Sequence, residues 1–139
     1  MPDLVDTAIN AGNFNTLVKA VVAAELVEIF KSSGPYTVFA PTDEAFNKLP
    51  PGTLDSLLQD IPKLKNILMY HVAYGDAMYE DLIEIDHAET LEGSIVAIDS
   101  ADGKVKVNDA NVVKTDIITD NGVIHVIDAV LMPAMIAGK

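Results

Sequence analysis

The chain has 139 residues, half of them apolar, which is enough for one domain with a buried core and excludes wholesale disorder. Nine lysines, no arginine and 21 acidic residues give a net charge of −12, a field that repels phosphate backbones and argues against nucleic-acid binding. Without cysteine there is no disulfide, zinc–thiolate site or cysteine nucleophile, and without arginine no bidentate guanidinium fork.

The N-terminus, Met1 to Asp6, has neither a basic region nor an apolar one, so no signal peptide is expected in this chain. Asp3 predicts the cap of a short helix with Leu4, Val5, Ala8 and Ile9 on one face and Gly12 as its stop. Asn13 opens a second run, with Phe14, Leu17, Val18 and Val21 at helical spacing. A third segment, Leu26 to Phe30, meets the breaker Lys31-Ser32-Ser33-Gly34-Pro35. Tyr36 to Ala40 reads as a buried strand, ended by Pro41, which has no amide to donate. Thr42 is the predicted N-cap of the next helix, Asp43 and Glu44 favour its positive end, and Phe46 and Leu49 share a face. Pro50-Pro51-Gly52 stops that helix, and two more are predicted over 53–59 and 63–70.

From His71 the pattern changes to strands, the clearest being Ser94–Asp99, Lys104–Asn108 and Val123–Leu131, with Asp102-Gly103 as a hairpin turn. Helices first and strands second predict an α+β fold, not a wound parallel sheet. No linker or repeat divides residues 1–139, so one domain is expected. The longest nearly uncharged apolar stretch, 123–137, carries His125, Asp128 and Pro133 and is too short to insert in a membrane.

The chemistry is sparse. There is no P-loop, no Gly-x-Gly-x-x-Gly after a strand and no Gly-x-Ser-x-Gly, so no catalytic residue is assigned. His71, His87 and His125 are too far apart for a local metal motif, although a fold could bring His71 and His125 together. Val-Ile-His-Val-Ile around His125 is apolar on both faces of a strand, which suits a central strand and a neutral, hydrogen-bonded imidazole. Residues 76–92 hold seven acidic side chains and no lysine. They lack the spacing of a calcium loop, and a solvated face explains them better than a cation-binding or docking face.

Three segments in register go further. Thr37-Val38-Phe39-Ala40-Pro41-Thr42-Asp43-Glu44-Ala45-Phe46, continuing to Leu49-Pro50, closely resembles the first signature block of the fasciclin domain. Asn121-Gly122-Val123-Ile124-His125-Val126-Ile127-Asp128, continuing to Leu131-Met132-Pro133, resembles the second, and Tyr70-His71 resembles the tyrosine–histidine motif between them. The likeness runs over about 3–133 and leaves a short tail, 134–139.

The resemblance implies an α+β fold, a β-wedge or sandwich with helices packed on one side. It implies a non-enzymatic adhesion or protein-interaction module without a cofactor or metal, acting as a monomer on a protein or cell-surface receptor. It also implies a secreted or surface location, with the cytoplasm as the alternative for a chain showing no signal. Two pairs, Asp116-Ile117 and Tyr70-His71, stand where animal relatives are assigned receptor contacts. Against this, Val112, Val113, Ile117 and Ile118 suit a strand, and Tyr70-His71 lies in an apolar run expected to be buried. The block residues Thr37, Phe39, Pro41, Thr42, Asp43, Phe46, Asn121, Gly122, His125 and Asp128 are expected to serve the fold. The alternative function is a small-ligand or cation-binding protein using the acidic 76–92 face or a pocket near His71 and His125.

Overall fold

The computed structural model describes residues 3–32, 34–49, 52–75, 77–101, 104–108 and 110–131. The chain opens with α1 (Leu4–Ala11), α2 (Asn15–Ala23) and α3 (Val27–Lys31). Asp3 caps α1 by accepting from the Asp6 amide at 2.9 Å, and Gly12 ends it in the left-handed region at φ 84°. The second helix starts two residues later than Asn13, because its cap comes from elsewhere in the chain. Asp43 Oδ1 accepts from the Thr16 amide at 2.7 Å, Oδ2 accepts from Asn15 Nδ2, and the Asn13 carbonyl receives the Asp43 N–H.

Next come β1 (Tyr36–Pro41), α4 (Asp43–Asn47), α5 (Thr53–Leu58) and α6 (Ile61–Tyr70). Pro41 is itself the last residue of β1, paired beside Ile127. Thr42 caps α4 from Oγ1 to the Ala45 amide, as its position predicts. α6 starts at Ile61, two residues before the predicted 63, with Asp60 as its cap and Pro62 in the first turn, where a missing N–H costs nothing. The second half forms β2 (Val72–Tyr74), α7 (Tyr79–Leu82), β3 (His87–Glu89), β4 (Ile95–Ala101), β5 (Lys104–Val107), β6 (Ala110–Thr119) and β7 (Gly122–Ile127). The single turn α7 was not legible as a helix. β7 stops at Ile127, short of Leu131: the Asp128 N–H still donates to the Asn111 carbonyl, but the Asp128 carboxylate receives the Asn111 amide in return. The Asp102-Gly103 turn and the 134–139 tail lie outside the described residues.

The seven strands form one sheet in the order β2-β1-β7-β6-β5-β4-β3. Only β1 and β7 run parallel, from Tyr36 opposite Gly122 to Pro41 opposite Ile127. The two outer strands nearly meet, through a bridge between Ala73 and Thr90 and a bond from the Leu91 amide to the Val72 carbonyl. The sheet therefore curls almost into a barrel, and with the helices it makes the expected α+β fold.

Alternation along β7 splits the core in two. Ile124 and Val126 face the helices and pack with Phe14, Leu26, Leu64 and Ile67, while Ile127 enters the barrel with Phe39, Leu82, Val96 and Val107. All six residues of β7 are buried, which is why its sequence shows no polar face.

Candidate functional site

The site begins with a defect in the β6–β7 ladder. Lys114 pairs with Val126 and Ile117 with Ile124, so two residues of β6, Thr115 and Asp116, stand opposite His125 alone. A second irregularity lies between Val112 and Lys114. Such extra residues bend a strand and re-aim its side chains. Here the bend coincides with Asp116 at φ 60°, a conformation aspartate tolerates better than most side chains.

Asp116 is fastened at both ends. Its N–H donates to His125 Nδ1 at 3.3 Å, and its Oδ1 accepts from the Tyr79 amide at 2.8 Å. Because Nδ1 accepts, His125 carries its proton on Nε2 and donates it to the Ala77 carbonyl at 2.6 Å. The ring stacks on Phe39 at 6.0 Å between centroids. Burial holds its pKa below the ordinary value, while the Ala77 carbonyl and the Asp116 charge partly oppose that shift. Thr37 completes the fastening: its hydroxyl donates to the Gly75 carbonyl and accepts from the Ala77 amide, both at 2.8 Å. Thr37, His125 and Asp116 together fix the segment that leads into α7.

The exposed apolar neighbours are not the ones that spacing suggests. Asp116 is exposed, but Ile117 is half-buried and packs against the helix-side core. Val113 and Ile118 are 61% and 56% exposed. Ile118 also walls a surface groove of about 420 Å³ with Pro35, Met78, Thr119 and Asn121. Sequence reasoning missed these two residues because the bulge, not a regular alternation, decides which of the four apolar side chains turn outward.

Tyr70 and His71 have the opposite character. Tyr70 is buried, its hydroxyl donating to the Ile95 carbonyl at 3.0 Å and accepting from Asn108 Nδ2 at 3.1 Å. His71 is also buried; its Nε2 accepts from the Leu131 amide at 2.8 Å, so its proton sits on Nδ1 and bonds the Ile67 carbonyl at 2.7 Å. Desolvation lowers its pKa to about 4. Both side chains are spent on internal hydrogen bonds, in keeping with the burial expected from the apolar run around them.

Among the described residues, His71 and His125 face opposite sides of β7. His71 lines an apolar cavity on the helix side together with Ile124, whereas His125 points to the other face of β7. That cavity measures about 40 Å³, a small fraction of the several hundred Å³ that ligand sites occupy. The acidic stretch is engaged locally: Asp81 accepts from the Met78 amide, Asp86 pairs with His87, and Glu92 accepts from the Ser94 amide. Asp76 lies outside the described residues. Among the described residues, no group of three or more His, Asp or Glu side chains is placed to hold a metal ion.

The remaining block residues tie elements together. Asn121 accepts from the Leu4 amide through Oδ1 and donates from Nδ2 to the Phe30 and Ser32 carbonyls, joining α1 and α3 to the β6–β7 turn. Gly122 lies so close to Tyr36 that a Cβ would overlap the Tyr36 carbonyl oxygen. Asp128 grips the Asn111 amide and side chain through its two oxygens. Phe46 packs in the helix-side core.

Comparison with known proteins places this geometry in a family. Residues 12–133 match the model of the fasciclin domain. The uncharacterized protein sll1735 of Synechocystis is 50% identical over 132 residues, covering 95% of this chain and 98% of that protein. The transforming growth factor-beta-induced protein ig-h3 of Oryctolagus cuniculus is 36% identical over 130 residues, which are 94% of this chain but 19% of the longer relative. A solved pair of FAS1 domains from the insect cell adhesion molecule fasciclin I superposes with a TM-score of 0.84 at 20% identity, over 96% of this chain and 52% of that one.

Proposed function

The chain belongs to the fasciclin family, and on that premise we propose that it is a non-enzymatic adhesion module. It binds a protein or cell-surface receptor through the Asp116 bulge of β6, outside the cell or at its surface. The observation that carries this reading is the exposed carboxylate of Asp116 on a bent, positive-φ bulge with exposed Val113 and Ile118 on the same strand. A fixed anion beside apolar surface suits a receptor that offers a cation with an apolar rim. The insect neighbour's description as a cell adhesion molecule supports the same class of activity. Both buried histidines are committed to backbone hydrogen bonds, which supports a role without acid–base chemistry. One copy presents a small surface, so the contact is transient.

The test is adhesion of the producing organism's cells to a surface coated with the domain. Cells are expected to bind the native coating and to release from the Asp116→Ala/Ile118→Ala variant, which spares the core-packed Ile117, once circular dichroism shows that variant folded. Binding no greater than to an albumin coating would overturn the adhesion reading. Equal binding to both coatings would leave adhesion standing and remove the bulge as its site.

A further inference from the structure

We propose that His125 is the positioning residue of this contact: the neutral ring holds Asp116 in its outward-turned conformation through Nδ1, and protonating the ring releases it. This rests on reading the Asp116 bulge as the binding surface. In a regular antiparallel ladder, alternate N–H groups of a strand are received by backbone carbonyls of its neighbour. At the bulge the Asp116 N–H is received instead by a side chain, the His125 imidazole, at 3.3 Å. A left-handed backbone at a residue other than glycine persists only where its surroundings hold it. Among the described residues, the His125 ring and the Tyr79 amide hold this one.

The ring is well suited to such control because its other nitrogen is already committed. The 2.6 Å bond to the Ala77 carbonyl and the stacking on Phe39 leave it no freedom to turn Nε2 toward Asp116. The charged group that faces it from β6 is Asp116. From α7 comes Tyr79, packed on the barrel core, and β1 contributes the uncharged Thr37 and Phe39. An imidazolium would carry hydrogen on both nitrogens, so two N–H groups would meet where one bond existed. The Asp116 carboxylate is the acceptor within reach, and turning to the ring it would leave the Tyr79 amide and its outward direction. Acid therefore changes the Asp116 and Tyr79 amides together. Burial keeps this event on the acid side of the ordinary histidine value of 6.5.

Nitrogen-15 NMR of the whole chain, titrated from about pH 7 to about pH 5, tests the proposal directly. The ring is expected to show the Nε2–H tautomer at neutral pH. The Asp116 and Tyr79 amides should shift with the ring's own midpoint, and the protection factor of the Asp116 amide should fall about tenfold, the loss of one hydrogen bond. His125→Asn places an oxygen where Nδ1 lies and should keep Asp116 protected at every pH. His125→Gln places a donor where Nε2 lies and should keep the Ala77 bond but leave Asp116 unprotected at every pH. Amides that ignore the ring's titration, or equal Asp116 exchange in the two variants, would overturn the proposal. So would loss of protection along all of β7 at the same pH. If neither variant folds, the native titration decides alone. None of these readouts depends on cell binding, so a failed adhesion assay and a failed histidine coupling are separate results.

Discussion

His71 and His125 show how much one hydrogen-bond partner decides about a residue. Both are buried and neutral, yet His71 keeps its proton on Nδ1 and His125 on Nε2, because a backbone N–H points at Nε2 of the first and Nδ1 of the second. For His71 the consequence is thermodynamic. The unfolded chain takes up a proton near pH 6.5, whereas the folded chain resists until about pH 4. Between those values the unfolded state binds more protons, so stability falls as pH falls through this window. The shift corresponds to about 3 kcal/mol, fully present above the unfolded value. Urea unfolding at about pH 7 and about pH 4 should show a loss of that order, with His125 adding in the same direction. A flat profile would mean that His71 is solvated in the native state. The sequence already marked His125 as a neutral central-strand imidazole, since both of its faces were apolar. It could not say which nitrogen carries the proton, because that depends on Ala77 and Asp116, which meet the ring only in the fold.

Among the elements, the local caps Asp3 and Thr42 were readable, the local cap Asp60 was passed over in favour of Pro62, and a cap supplied from a distance had no local signal. Asp3 and Thr42 cap the helices that follow them, and each announces itself by type and position. Asp43 serves α2 from 27 residues away, which no local pattern signals. Asp43→Ala should therefore cost about 1–2 kcal/mol and loosen α2 along with α4. Amide exchange in Asn15–Val18 checks this, and loss confined to α4 would refute the distant cap. At Gly122 the constraint is space: a methyl group would meet the Tyr36 carbonyl at the start of the parallel β1–β7 pairing. Gly122→Ala should destabilise by roughly 3 kcal/mol or more, measured by denaturant unfolding. The bulge on β6 was hidden for a different reason. A strand's own pattern of Val112, Val113, Ile117 and Ile118 says nothing of register, and register decides that Ile118 faces out while Ile117 turns partly in.

For the whole molecule, β1 and β7 are the shared wall between the helix-side core and the barrel core, with Phe39 on one side and Ala40 on the other. Neither core is complete without that wall, so unfolding should be one transition. Far-ultraviolet circular dichroism and tyrosine fluorescence should report the same midpoint; separated midpoints would show that the cores fold independently. The α+β class and the fasciclin blocks were legible in the sequence, because buried strands and tight anchor residues leave a compositional trace. The division between anchor and surface was not. Tyr70-His71 and Asp116-Ile117 looked equivalent as inherited pairs, and the fold separates them: the first is bonded internally to Ile95, Asn108 and Leu131, while of the second Asp116 stands exposed on a bulge and Ile117 turns partly into the core.

That separation gives the most direct test, a paired measurement of adhesion and melting temperature on Asp116→Asn and Tyr70→Phe. Asparagine keeps the bond from Tyr79 and tolerates positive φ, so this variant removes little but the charge. Phenylalanine removes the hydroxyl that satisfies Ile95 and Asn108, at about 1–2 kcal/mol. With both proteins held below their melting temperatures, Asp116→Asn should melt like the native chain and fail to hold cells. Tyr70→Phe should melt earlier and hold them fully. Cells that adhere to Asp116→Asn but not to folded Tyr70→Phe would contradict the account.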